Sequence, residues 1–198
     1  VISPCAAGSL QKHVEPGSFV VTDQFVDRTR GRIDTFYDGP ITSHVSPADM
    51  YDKTLRQIAV ETIREHGIEA HDGGTVVVIQ GPRFSTKAES VWFTKMGWEI
   101  INMTQYPEGY LCHELGMAVV NISLVTDYDS GVVADVEAVT AHSVLEVFQQ
   151  NAENARKVVL DMIRKFPHDL DSLGKKDGLQ FTRGDGHASS QYDIRIFD

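Results

Sequence analysis

Apolar and polar positions alternate along this chain in two distinct rhythms. Ser18 to Val26 (SFVVTDQFV) is rich in β-branched and aromatic residues and follows the turn pair Pro16-Gly17, which predicts a strand. Residues 27–45 follow as a polar loop with scattered aromatics. Ser46 to His66 reads as a helix, capped by Ser46 with Pro47 in its first turn and ended by Gly67. Leu55, Ile58, Ala59, Thr62 and Ile63 recur at helical spacing and form its apolar face. Thr75 to Gln80 (TVVVIQ) is continuously apolar, as in a strand covered on both faces.

The alternation continues downstream. A helix is expected from Lys87 to Met96, a strand from Trp98 to Asn102, a short helix from Pro107 to Leu115 and a strand from Met117 to Thr126. A long helix follows from Asp135 to Phe166, with Val139, Val144, Leu145, Phe148, Ala152, Ala155, Val159 and Ile163 as its apolar stripe. Strands alternating with helices predict a three-layer αβα fold with a mixed, largely parallel central sheet. Residues 1–166 form this domain. Residues 167–198, rich in Gly, Asp, Ser and Lys and without periodicity, read as a polar, partly disordered tail. Asp185 and His187 in it read as solvated residues rather than metal ligands. No internal repeat is present.

Composition narrows the function classes. At 198 residues the chain suits one domain with a sizeable core. Its formal net charge of −10 argues against nonspecific nucleic-acid binding, although backbone amides can still hold one anion. No apolar run reaches membrane-spanning length, and no signal segment is seen. Cys5 and Cys112 lie outside any metal-ligand spacing and read as small buried thiols. They point to a reducing setting, cytoplasmic or nuclear. The chain starts Val1-Ile2-Ser3, without Met and inside an apolar strand, so an earlier portion of the fold is expected elsewhere.

In α/β folds ligands sit beyond the carboxyl ends of strands. Three such loops carry unusual content: Gly81-Pro82-Arg83-Phe84-Ser85, Asn102-Met103-Thr104-Gln105-Tyr106-Pro107-Glu108, and Thr126-Asp127-Tyr128-Asp129. Each alone reads equally well as an ordinary turn. Together they offer a flat aromatic face on Phe84, an anion-binding hydroxyl before a helix on Thr104, and two carboxylates on Asp127 and Asp129. Partial burial would raise the carboxylate pKa values and let one donate a proton.

The stretches GPRFSTKAES, NMTQYPE and TDYD resemble signature segments of the trimeric purine nucleoside phosphorylase family, closest to its branch acting on 5′-methylthioadenosine. CAAGSL, PGSFVVTDQFVDRT and FYDG are similar to the same branch, and the resemblance runs from Val1 to about Phe166. It implies phosphorolysis of 5′-methylthioadenosine to adenine and 5-methylthioribose 1-phosphate, in purine and methionine salvage. It also implies a homotrimer and no cofactor, with inorganic phosphate as co-substrate. Carried over by residue, Cys5, Ala6 and Thr104 would border phosphate. Phe84 and Ser85 would meet the purine, Met103 the sugar, and Asp127 and Asp129 would face N7 and the exocyclic amine, with Asp127 catalytic. His44, Val144 and Leu145 match positions round the 5′ substituent, His44 serving a neighbouring subunit.

The family's glycine-rich phosphate loop and its Arg-His motif have no counterpart in these residues. Two alternatives therefore stand beside the leading reading. One is a phosphorylase of 6-oxopurine nucleosides or methylthioinosine. The other is a nucleoside-binding fragment without catalysis. Ser85 and Asp127 favour a 6-aminopurine, because an ionised carboxylate accepts from an amine but cannot donate to a 6-oxo group.

Overall fold

The computed structural model describes residues 1–130, 132, 141–167, 169, 173, 180–183 and 188–189. Seven strands form one mixed sheet: β1 (Ile2–Ser9), β2 (Phe19–Val21), β3 (Gln24–Arg28), β5 (Ala70–Asp72), β6 (Thr75–Ile79), β7 (Ile100–Asn102) and β8 (Val120–Tyr128), in the order β3-β6-β7-β1-β8-β2-β5. The pairs β3/β6, β6/β7, β1/β8 and β2/β5 are parallel, while β1/β7 and β2/β8 are antiparallel. The sheet is therefore mixed and largely parallel, as the alternating pattern predicted. Its helices are α1 (Lys53–Glu65), α2 (Lys87–Lys95), α3 (Gln105–Glu114) and α4 (Ala141–Lys165).

The predicted strand over 18–26 is two strands. β2 and β3 lie five positions apart in the sheet, yet only Thr22 and Asp23 join them. Three residue steps span about 10 Å, whereas five strand spacings in a flat sheet need about 24 Å. The sheet must therefore curl. β5 and β6 turn the same corner through Gly73-Gly74, and Asp23 N donates to Gly74 O at 3.2 Å.

Curling gives the sheet an inner and an outer face. Ala7, Val20, Val76, Val78, Ile100 and Val125 pack together inside. Outside, Phe19, Val21, Ile122 and Leu124 meet Leu55, Ala59 and Ile63 of α1 and Ala155, Val158 and Met162 of α4. Elsewhere on the outer face, Val77 and Ile101 pack on Phe93 of α2. The cross-section runs helices, curled sheet, helix.

Several boundaries differ from expectation. α1 starts later than Ser46: the Asp52 side chain accepts from Leu55 N at 2.9 Å and caps it, while Met50 and Tyr51 are buried in the preceding loop. Its predicted apolar face holds, with Leu55, Ala59, Thr62 and Ile63 buried. The stripe of α4 is offset: Asn151, Ala155, Val158 and Met162 are buried and Ile163 is exposed. Val139 and the side chains of Val144, Leu145 and Phe148 lie outside the described residues, as do Asp185 and His187. In the segment read as a tail, β9 (Gln180–Arg183) and β10 (Ala188–Ser189) are strands, and β9 pairs with β4 (Ile41–His44) in a separate three-stranded sheet.

Candidate active site

The CAAGSL stretch lies mostly on β1, which runs between β7 and β8. β1 pairs with β8 along its whole length but with β7 only through Gly8–Ile101 and Ser9–Ile100. Beyond that point the two strands part. Cys5, Ala6 and Ala7 line one side of the wedge, and Asn102, Met103 and Thr104 the other. The wedge opens into a cavity of about 770 Å³, well within the range that takes a small-molecule ligand.

All three loops singled out from the sequence reach this cavity. Phe84 and Ser85 come from the loop after β6, Met103 and Thr104 from the loop after β7, and Asp127 and Asp129 from the end of β8. Together with Cys5 and Ala6, eight predicted site residues share one space. His44 does not line it; it is exposed on β4. Val144 and Leu145 fall in the first half of α4, where side chains are not described. Sequence reasoning gave no place in the site to Glu108, Arg156 or the α4 residues Ala152, Ala155, Val159 and Leu160, which also line the cavity. The predicted stripe pointed to Ala152, Ala155 and Val159, but as core. Glu108 is bonded by the Ser3 hydroxyl and Arg156 pairs with Glu153 at 3.0 Å.

The floor round Cys5 is fully bonded. Its Sγ accepts from Asn102 Nδ2 and Asn121 Nδ2, each at 3.3 Å, and lies 3.5 Å from Ser123 Oγ. Burial pushes the thiol pKa up, against the lowering effect of these hydrogen bonds. Thr104 holds the N-cap position of α3, yet its side chain makes no capping bond. Asn102 Oδ1 accepts the Gln105 amide instead, at 3.4 Å, and Thr104 lines the cavity beside Cys5, whose thiolate form its hydroxyl favours.

The acidic end is different. Asp129 is buried, and its Oδ2 has no hydrogen-bond partner; nor have the buried hydroxyls of Ser85 and Ser90. Burial raises the Asp129 pKa, partly offset by Ser90 and Ser85, whose hydroxyls lie near enough to favour its charged form without the alignment of a hydrogen bond. Burial also raises that of Asp127, reinforced by the Asp129 charge and opposed by Thr126, whose hydroxyl donates to Asp127 Oδ1 at 2.6 Å. Gly8 makes room for this pair: a Cβ there would stand 3.3 Å from Asp127 Oδ2 and 3.2 Å from Ile101.

An aromatic face, a hydroxyl at a helix start and two carboxylates of raised pKa, Asp129 buried and Asp127 half-buried, thus surround one cavity. The profile of the Phosphorylase superfamily matches residues 1–164. The chain belongs to that superfamily. It is 45% identical over 169 residues to the S-methyl-5′-thioadenosine phosphorylase of Thermofilum pendens, covering 85% of this chain and 63% of that protein. It is 42% identical over 175 residues to the purine nucleoside phosphorylase of Streptomyces coelicolor, covering 84% and 62%. The crystal structure of methylthioadenosine phosphorylase from Schistosoma mansoni in complex with adenine superposes with a TM-score of 0.79 at 34% identity, over 82% of this chain and 64% of that one. The superposition bears out the α/β fold class. This chain spans somewhat less than two thirds of the length of these relatives. Among the described residues no helix is long and apolar enough to cross a membrane, and no three His, Cys, Asp or Glu side chains gather as a metal site.

Proposed function

We propose that this chain carries the nucleoside- and phosphate-binding cavity of a phosphorylase that converts 5′-methylthioadenosine and inorganic phosphate to adenine and 5-methylthioribose 1-phosphate. The observation that carries this reading is the convergence of Phe84, Ser85, Met103, Thr104, Asp127 and Asp129 on one cavity. The similarity to named methylthioadenosine phosphorylases supports the substrate class.

The purine ring stacks on Phe84, and Met103 lies against the ribose. Asp129, whose Oδ2 has no aligned hydrogen-bond partner of its own, accepts from the exocyclic amine. Phosphate sits by Thr104 and the Cys5–Ala6 backbone. As the glycosidic bond breaks, its electron pair goes to the purine, and Asp127 gives a proton to N7. A phosphate oxygen attacks the anomeric carbon of the oxocarbenium-like sugar and forms the new C–O bond. The raised pKa of Asp127 supports its role as proton donor. The chemistry needs no metal or organic cofactor.

The working assembly in this reading is a cytoplasmic homotrimer, in which exposed His44 serves the neighbouring subunit's 5′ pocket. A second reading, a 6-oxopurine nucleoside phosphorylase, is favoured by the similarity to the Streptomyces coelicolor enzyme. Assaying 5′-methylthioadenosine and inosine in parallel separates the two. Faster phosphate-dependent cleavage of 5′-methylthioadenosine supports the first reading, and faster cleavage of inosine replaces it with the second.

A further inference from the structure

Behind the loop that carries Phe84 and Ser85 lies a second cavity of about 260 Å³. It is lined by Arg28, Arg30, Arg83, Gln80, Glu89 and Trp92 among others. Three guanidinium groups round one small space stand out in a chain of net charge −10. Their partners differ. Arg83 is held by Glu89 through two bonds of 2.7 and 2.8 Å, and this pairing brings the Glu89 pKa down to about 2. The nearby Arg32, outside the lining, is taken up by the backbone carbonyls of Tyr106, Ile79 and Gln80. Arg28 and Arg30 pair with no carboxylate among the described residues. The neighbouring Asp27 accepts the Thr29 amide at 2.7 Å. Arg28 lies instead over the Trp92 ring, 5.1 Å from its centroid.

The cavity's lining charge, three arginines against one glutamate, leaves two positive charges uncompensated. A phosphate monoester near neutral pH carries about −1.5 to −2, and planar guanidinium forks match its oxygens. At about 260 Å³ the space falls below the roughly 300–1,000 Å³ of pockets for drug-sized ligands, so the occupant is small.

We infer that this cavity binds a phosphate dianion, free or as the head of a small ester, through Arg28 and Arg30, at a place separate from the anion position beside Thr104. The site also sits where it can act on the first cavity. Gly81 lines the second cavity, and its backbone packs so closely on Met103 that an added Cβ would stand 2.6 Å from the Met103 sulfur. Arg83 donates both to Glu89 and to the Phe84 carbonyl at 3.0 Å. An anion drawing on Arg83 therefore acts on the loop that presents Phe84.

Isothermal titration of the chain with inorganic phosphate and with glycerol 3-phosphate tests this. Each is titrated into the unaltered protein, an Arg28→Gln/Arg30→Gln variant and a Thr104→Ala variant. Both arginines are exposed, so their replacement leaves the fold intact, as circular dichroism verifies. We expect saturable binding that survives Thr104→Ala and weakens by about tenfold or more in the double variant, since charge-assisted bonds are the stronger kind. Tighter binding of the ester identifies a monoester site; equal binding identifies free phosphate. Absence of binding, or binding lost with Thr104→Ala and untouched by the double variant, overturns the inference.

Discussion

The two ends of the main cavity are both buried and both polar, yet they are built on opposite terms. At the Cys5 end each polar side chain spends its hydrogen bonds on a neighbour: Asn102 and Asn121 on Cys5, Ser123 on Asn121, Gln105 on Thr22. At the acidic end Asp129 Oδ2, Ser85 Oγ and Ser90 Oγ are buried and unspent. An unpaired buried polar atom costs roughly 1–3 kcal/mol, so such a cluster survives where something else completes it. The bonded end is scaffold that holds the wedge open. The unbonded end is where a ligand with both donors and acceptors, such as a 6-aminopurine, restores the missing bonds.

This contrast can be broken at several points. The largest effect belongs to Asp127→Ala, which removes the proton donor. kcat/KM for 5′-methylthioadenosine should fall by about 10²–10⁴-fold, the range for a lost general acid. A loss under tenfold would remove Asp127 from the mechanism. Next is Gly81→Ala. With φ at +63° and the Met103 sulfur in the way, the change strains the Phe84 loop. Strain of this kind costs about 1–3 kcal/mol, so KM for the nucleoside should rise by about tenfold, measured in steady-state assays.

A third test concerns stability. The pKa of Asp129 is raised on folding, so between its unfolded and folded values the native state binds more protons. Stability therefore falls as pH rises through that window, and the cost is fully present above it. Asp129→Asn removes the cost: thermal unfolding at pH 7 should move to higher temperature while cleavage of 5′-methylthioadenosine declines. The gain should shrink as pH drops below the ordinary carboxylate range. A variant less stable than the parent at pH 7 would mean that Asp129 is satisfied after all. The smallest effect is expected at the scaffold end. Cys5→Ala leaves Asn102 bonded to Gln105 and Asn121 to the Ser3 carbonyl, so denaturant unfolding should show a loss of about 1 kcal/mol. In the parent protein, Cys5 should react slowly with alkylating reagents at neutral pH, because its thiolate is disfavoured.

Much of this site was legible before any coordinates. Phe84, Thr104, Asp127 and Asp129 stood out because each follows an apolar strand, where α/β folds place ligands. The wedge was not legible. It depends on β1 and β7 pairing through only two residues each, and no local pattern encodes the length of a nonlocal pairing. For the same reason no strand was predicted over CAAGSL: its small residues lack the bulk that marks a strand, yet pairing with β8 extends them. Ser46 has the side chain of a cap, and Pro47 suits a first turn, yet the helix starts after Asp52. Met50 and Tyr51 are buried in the loop before it, and burial is a tertiary property. The missing partners at Ser85, Ser90 and Asp129 likewise emerge only once α2 and β8 are packed together.

The most direct test of the central claim is the release of adenine from 5′-methylthioadenosine by the unaltered chain, followed with and without inorganic phosphate. The account predicts adenine and 5-methylthioribose 1-phosphate in equal amounts, with release that depends on phosphate and disappears in Asp127→Ala. Release that is indifferent to phosphate, or that persists undiminished in Asp127→Ala, would contradict it.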